Sequence, residues 1–573
     1  MQDRFIRLVA LALPVAIPAL AAPIAILALA SPAAAQMAAP TTAMPANYGE
    51  LTALFAEWRA FVMSPTANAA TDYTPAATAR KAAMLASFQS RLKAIETTGW
   101  SESALIDRKL VQAELNGLDF ELRVLKPWVR DPTFYANVIP DMSDVPAHEG
   151  PYAHPNIDLY KFNFPLSPAD DRRLTAMIAN VPAILSAAKT NLAPGNVKDF
   201  WTYGERAFIE QAETLEALRN NTLVMRTLKG RFKADTSGAS PALKRAIVAA
   251  EAATIDFAAH IRAEAPRKSG SAGLGKENYN WYTKNVAMMP YDWDQQVVLL
   301  RRELDRSITS MRLEEVRNRK LPPIKEIDNT EAYAKMERAK AAYFSDFMSA
   351  TGLAEEKPHL RAAIAAQQVQ YTPPEKRQFF GYVTSQDPLP LMAHFTHWMD
   401  LARMADEPHP SPIRRAPALF NIYADRSEGF ATAFEEVTMH AGLYDDIPRG
   451  RELVWIMLAN RAARGLASLY VQSNEFDLAQ AGQFHAEWTP RGWSDPASPL
   501  VGFEQLLYAR QPGYGPSYVT GKLQMERLIA DISHAHDVAK KPFNMREVMN
   551  RIYGAGVIPV PLIEDELIDT PPR

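Results

Sequence analysis

The sequence predicts an all-α protein, and three observations carry that expectation. Glycine is scarce at 25 of 573 residues, alanine is plentiful, and runs of valine or threonine are few, a balance that favours helix over sheet. From Tyr48 onward apolar residues recur at helical spacing, beginning with Leu51, Leu54, Phe55, Trp58 and Phe61-Val62. No succession of alternating strands bounded by turn residues competes with this period. The same stripe predicts helices over 80–96, 101–124, 167–190, 198–227, 241–264, 291–316, 329–352 and 357–370. The 43 prolines fall mostly between these stretches, as in Pro322-Pro323, Pro373-Pro374 and Pro388-Leu389-Pro390. There they are expected to stop helices and set loops.

The N-terminus has a different logic. Arg4 and Arg7 precede an apolar run from Leu8 to Ala30, and Ala33-Ala34-Ala35 offers a small-residue cleavage site before Gln36. Residues 1–35 therefore read as a secretory signal peptide. An uncleaved anchor is the alternative, because the run is long enough to span a bilayer. Residues 36–47 read as a disordered leader. The rest divides into an N-terminal helical half (48–265), a polar, glycine-rich linker (266–275) and a C-terminal half (276–573) that carries the chemistry. The expected whole is a large two-lobed helical unit with a central cleft.

Composition narrows the function classes. There is no cysteine, hence no disulfide framework and no lipid-attachment site. Export without disulfides points to a Gram-negative periplasm, with no stable membrane association once the signal is removed. The net charge is −3 and no basic block occurs outside the n-region, which argues against a nucleic-acid partner. A small-molecule substrate is the expected partner. Phosphate-loop spacing, a G-x-S-x-G elbow and a dinucleotide-binding fingerprint are all missing from the sequence.

Asp387 to His440 is the chemically densest stretch. It holds four histidines, the adjacent Arg414 and Arg415, and four glutamates. On a helix Glu428 and Glu435 fall on nearly one line, offset from Glu436 and His440. Paired carboxylates beside histidine form an acid–base set; the structural alternative is an exposed acidic face with a Glu436–His440 pair. His394 and His397, at i and i+3, can share a metal with Glu428 as third ligand; the alternative is two hydrogen-bonded histidines in an aromatic core. Arg414 and Arg415 could clamp an anionic substrate, or answer the acidic helix structurally. The loop from Gln511 to Gly521 brings Tyr514, Tyr518 and Lys522 to a helix start, where phenol and ammonium could stabilise an anion. Trp398, Trp488 and Tyr514 could line an aromatic pocket.

These segments resemble a known group. Residues 427–436 (SEGFATAFEE) with 442–446 (GLYDD), 512–523 (PGYGPSYVTGKL) and 275–282 (GKENYNWY) are similar to segments of a bacterial family catalogued as domain of unknown function 885. The resemblance covers roughly 275–535 and implies a zincin-like, peptidase-related fold. Many members carry HExxPGHH as a metal-binding helix, with a further glutamate ligand at the position of Glu428. Here Leu391 and Met392 stand in place of the first His and Glu, and only His397 stands at a matching histidine position. Ser468 and Gln472 replace a later Asp and His. Without the His-Glu pair both a ligand and a base are missing.

The reading that follows is a metal-independent enzyme performing acid–base chemistry, of the elimination or ether-opening type, on a small and aromatic organic molecule. His394, His397, Glu428, Glu435, Tyr518 and Lys522 would be its catalytic groups and no cofactor is called for. The alternatives are a zinc-dependent, peptidase-like hydrolase rebuilt on His394, His397 and Glu428, and a non-catalytic periplasmic binding protein.

Overall fold

The computed structural model describes residues 47–63, 71–146 and 156–568. The expected signal peptide and all but the last residue of the leader lie outside them. Helices dominate the described residues, and strand is confined to two two-stranded pairs. The chain is all-α, as its periodicity predicts. No helix among the described residues is long and apolar enough to cross a membrane.

Local chemistry explains the helix ends. Thr74, Ser101, Ser167, Ser240 and Asn329 each accept a backbone N–H of the first turn, while Asp292–Gln295 and Asp477–Gln480 form reciprocal capping boxes. Such caps satisfy donors that the helix itself leaves unpaired. Several prolines expected to stop helices instead open them: Pro75, Pro168, Pro241, Pro390, Pro412 and Pro499 all lie in a first turn. There the missing N–H costs nothing and the fixed φ is already helical.

Three sequence expectations are corrected. The 167–190 helix is two, Pro168–Ala179 and Val181–Asn191, because Pro182 cannot continue the first and suits the start of the second. The 198–227 helix ends at Arg219, and Val224–Thr227 pairs with Gly230–Lys233 as an antiparallel hairpin. Gly230 takes a φ of +103° there, which a β-carbon would disfavour. The stretch 266–275 is not a loose linker. Gly270 N–H donates to Asn196 O (2.6 Å), Lys198 N–H to Gly270 O (2.9 Å) and Gly275 N–H to Gln472 O (2.9 Å). A β-carbon on Gly273 would sit 2.0 Å from Val471 O, so its glycine content serves close packing.

The described residues form one compact unit. Its largest apolar core joins the first helices to the segments after 340, and a second core lies wholly within 128–261. The Ala424–His440 and Tyr514–Val538 helices cross closely because Gly429 meets Gly521; a β-carbon on Gly429 would stand 2.3 Å from the Gly521 backbone. This crossing fixes the site described below.

The same crossing buries Asp425, whose Oδ1 accepts from Thr520 Oγ1 at 2.8 Å. Burial pushes its carboxyl from 3.8 up to about 7, the Thr520 bond opposing. The folded state then holds this proton more tightly than the unfolded chain, so stability falls as pH rises through that window. Asp425→Asn keeps the acceptor and removes the charge. We expect urea unfolding to show the variant gaining on the native protein from pH 5 to pH 8, by at most about 3 kcal/mol. Equal differences at both pH values would contradict this.

Candidate active site

The Leu389–His394 and Thr396–Asp406 helices are separated at Phe395, so His394 and His397 do not share one continuous helical face as expected. They still converge. His394 Nε2 and His397 Nε2 are 3.2 Å apart, and Glu428 Oε2 lies 3.3 Å from the first and 3.1 Å from the second. All three side chains are buried. Glu428 comes from the 424–440 helix, whose position against 514–538 the Gly429–Gly521 contact sets.

Each of the three is also held from behind. Tyr514 Oη donates to Glu428 Oε1 (2.5 Å), and Ser427 Oγ is 3.0 Å from His397 Nδ1. Glu435 Oε1 lies 3.0 Å from His394 Nδ1. Arg461 holds Glu435 through both guanidinium ends (2.6 and 2.8 Å), its Nη2 also reaching within 3.3 Å of His394 Nδ1. Directional hydrogen-bond geometry at Glu435 Oε1 is poor, so the charge contacts define this arrangement. The Tyr518 ring stacks on His394 at 6.1 Å and 14°, with the Arg464 guanidinium 4.4 Å from its centroid. Arg464 is in turn paired with Glu504.

Electrostatics follow the geometry. Burial alone would lower the His397 imidazole, but the Glu428 charge and hydrogen bond outweigh it and raise the group. Burial would raise Glu428, yet the charge of His397 and the bonds from both histidines hold it well below the usual carboxylate range. In the tautomer whose Nδ1–H faces Glu435, His394 Nε2 presents a lone pair to another nitrogen and a carboxylate oxygen. Such a set is repulsive unless a proton or a cation sits among them. Four ligands about 2.0–2.1 Å from a tetrahedral zinc lie roughly 3.3 Å from one another, close to the observed separations. The outward atoms bonded to carboxylate, hydroxyl and phenol are the supports that metal-bound ligands use. The donor set therefore fits a divalent metal.

The structure brings His394, His397, Glu428, Glu435, Tyr514 and Tyr518 together. It places other sequence candidates elsewhere. Lys522 Nζ meets Glu303 (3.2 Å), Glu436 (2.9 Å) and Glu526 (2.6 Å); Glu436 lies two turns, about 12 Å, along its helix from Glu428. Its fully buried ammonium needs those counter-charges. Arg414 is buried against Asp107 and Glu566, which makes it a structural tie between chain ends, and Arg415 is exposed. Trp398 is core, with Arg226 over it at 5.1 Å; half-buried Trp488 carries Arg301 at 5.0 Å. Glu436 binds Arg306 and Lys522 and also makes the expected contact with His440 (3.3 Å), but on a buried rather than an open face. Met392 is fully buried in the main core, where neither ligand nor base is available. Ser468 bonds Gly465 O and Gln472 bonds the Tyr508 and Ala509 carbonyls, so both serve packing here.

Sequence reasoning missed Arg461, Glu504 and Ser427, and it gave Arg464 no role. Two arginines at i and i+3 inside the apolar run from Leu453 to Leu469 were the available signal. Buried arginines require partners.

Comparison with known proteins adds a family. A family model described as "Bacterial protein of unknown function (DUF885)" matches residues 60–384, more than half of the chain. The chain belongs to this family. The match ends just before His394, so the site lies outside the matched residues. No curated protein matches the chain. Five chains of solved structures do, two of which are described. A candidate lipoprotein of unknown function from Shewanella oneidensis aligns over 91% of this chain and 99% of its own, with TM-score 0.63 and 13% identity. A candidate lipoprotein from Colwellia psychrerythraea aligns over 91% and 98%, with TM-score 0.62 and 13% identity. At that identity the DUF885 chain shares their fold.

Proposed function

We propose that this DUF885 protein is a metal-dependent hydrolase of the bacterial cell envelope. His394, His397 and Glu428 would hold one zinc ion and leave a coordination position for substrate. The observation that carries the reading is the convergence of their three ligating atoms within 3.1–3.3 Å of one another. A bound zinc would supply Lewis-acid polarisation of a carbonyl or phosphoryl oxygen. The chain's own groups do the rest. Tyr514 orients Glu428, Glu435 with Arg461 orients His394, and Tyr518, beside His394 and backed by Arg464, is placed to donate a proton or steady a developing anion. The candidate-lipoprotein descriptions of the two structural neighbours support envelope placement. With no cysteine, this chain would reach a periplasmic location without a lipid.

Metal analysis of the purified protein tests the reading. The expected result is about one zinc per chain, with hydrolysis of a panel of aminoacyl p-nitroanilides and esters lost to a chelator and restored by Zn²⁺. A chain that retains no metal, and whose melting temperature ignores both chelator and Zn²⁺, would overturn it.

A metal-independent acid–base enzyme is the second reading. It is favoured by Leu391 and Met392, which stand where the family resemblance implies a ligand and a base. In that case the raised His397 and the ionised Glu428 would work as acid and base themselves. The metal-free result above is the one it requires.

The supporting pair has its own test. Glu435→Gln removes the acceptor charge behind His394 Nδ1 and is expected to weaken Zn²⁺ binding about 10–100-fold. Chelator competition measures this. An unchanged affinity would show that Glu435 serves only Arg461.

A further inference from the structure

The two glutamates at the histidine group already have tasks. Glu428 faces both imidazoles and is held by Tyr514, and Glu435 is tied to His394 and Arg461. A hydrolase built there needs one more carboxylate, free to take a proton from water. Asp144 is the group placed to supply it. It lies in the segment 141–146, which the hairpin at 224–233 holds against the helix of His397. Arg226 N–H donates to Asp141 Oδ1 (2.7 Å), Met142 N–H to Arg226 O (2.9 Å) and Arg226 Nη2 to Met142 O (3.3 Å). The Arg226 guanidinium then stands 5.1 Å from the ring of Trp398, the residue after His397. On the other flank, Val145 is buried in the same apolar core as Trp398. Asp144 is thus fixed from both sides. Its half-buried carboxylate forms no hydrogen bond or ion pair among the described residues. Its charge acts through space on the His397 imidazole, next after that of Glu428 and ahead of that of Asp400, which stands one turn away on the same helix as His397. Ser427 already occupies Nδ1 of that ring, so supporting the imidazole is not the task left to Asp144.

We propose that Asp144 is the general base of the histidine site, an inference that rests on the metal-dependent hydrolase reading above. As the oxygen of a water molecule bonds to the carbonyl carbon of an amide or ester, Asp144 accepts one of its protons. The bond from that carbon to the leaving nitrogen or oxygen then breaks, and the proton passes from Asp144 to the leaving group. The second proton of the water stays with the product acid, so no further reactant is needed. Asp144 is more exposed than His397 or Glu428, which suits a group that meets water and substrate rather than the ion.

Asp144→Asn tests it in the full-length, zinc-loaded protein, with the native protein alongside on the same p-nitroanilides and esters. The variant is expected to lower kcat about 100-fold or more, while KM, zinc affinity by chelator competition and melting temperature stay near native. In the metal-free protein, the NMR resonances of the His397 imidazole are expected to shift in Asp144→Asn, because a charge beside the ring is removed. A native kcat, a loss confined to zinc affinity or stability, or unmoved His397 resonances would each overturn the proposal. Normal hydrolysis by the native protein with an indifferent variant overturns this inference alone. A native protein without zinc-dependent hydrolysis overturns it together with the reading on which it rests.

Discussion

Glu428→Gln is expected to lower zinc affinity by at least about a hundredfold, more than loss of a supporting group costs. The amide keeps the shape of the side chain but removes the charge that both imidazoles face at 3.1 and 3.3 Å. It also turns the Tyr514 contact, a phenol donating to a carboxylate, into a weaker neutral one. A second consequence concerns acid stability. Glu428 is held below its ordinary range, so its contribution is present above the unfolded carboxylate pKa and lost as pH falls through the folded value. His397 is raised, and its contribution is present below the unfolded imidazole pKa and lost as pH rises through the folded one. The variant should flatten both limbs of the metal-free stability profile. Chelator competition and unfolding of the metal-free protein from pH 3 to pH 9 read these effects. Native metal affinity in the variant would exclude Glu428 as a ligand.

Lys522→Met is expected to destabilise the fold by about 3–5 kcal/mol, the range for breaking a buried ionic network from one side. Of the two buried carboxylates, Glu303 would keep Arg306, and Glu436 would keep Arg306 and the imidazole of His440 at 3.3 Å. Burial alone would lower the Lys522 ammonium, and the three carboxylates outweigh that and raise it; methionine fills the space but supplies no charge. Denaturant unfolding gives the size of the loss. Zinc affinity in the folded variant should stay near native, because Lys522 does not touch the His394–His397–Glu428 group. Normal stability with abolished metal binding would reverse this assignment.

The two variants mark where sequence reading works. Glu428 stood out as a carboxylate on an apolar helix and Lys522 as an ammonium at a helix start, and spacing alone could not separate their roles. Pairing partners separate them. Lys522 is answered by Glu303, more than two hundred positions earlier, and no local pattern announces such a partner. Arg414 follows the same rule, since its carboxylates are Asp107 and Glu566. Arg461 and Arg464 were passed over because charge inside an apolar helix has no meaning until its neighbours are known.

Helix content, most helix positions and the His394–His397–Glu428 candidates followed from the sequence by itself. Periodicity and capping act over a few residues and are written locally. Register between distant elements is not. Whether 266–275 is a linker or a packed crossing, whether proline ends or opens a helix, and which side of a helix meets which carboxylate all depend on tertiary contacts. Gly429 against Gly521 shows the difference. Two glycines far apart in the sequence, one of them read as part of a loop, become in the fold the contact that carries Glu428 and Tyr514 to one point beside the two histidines.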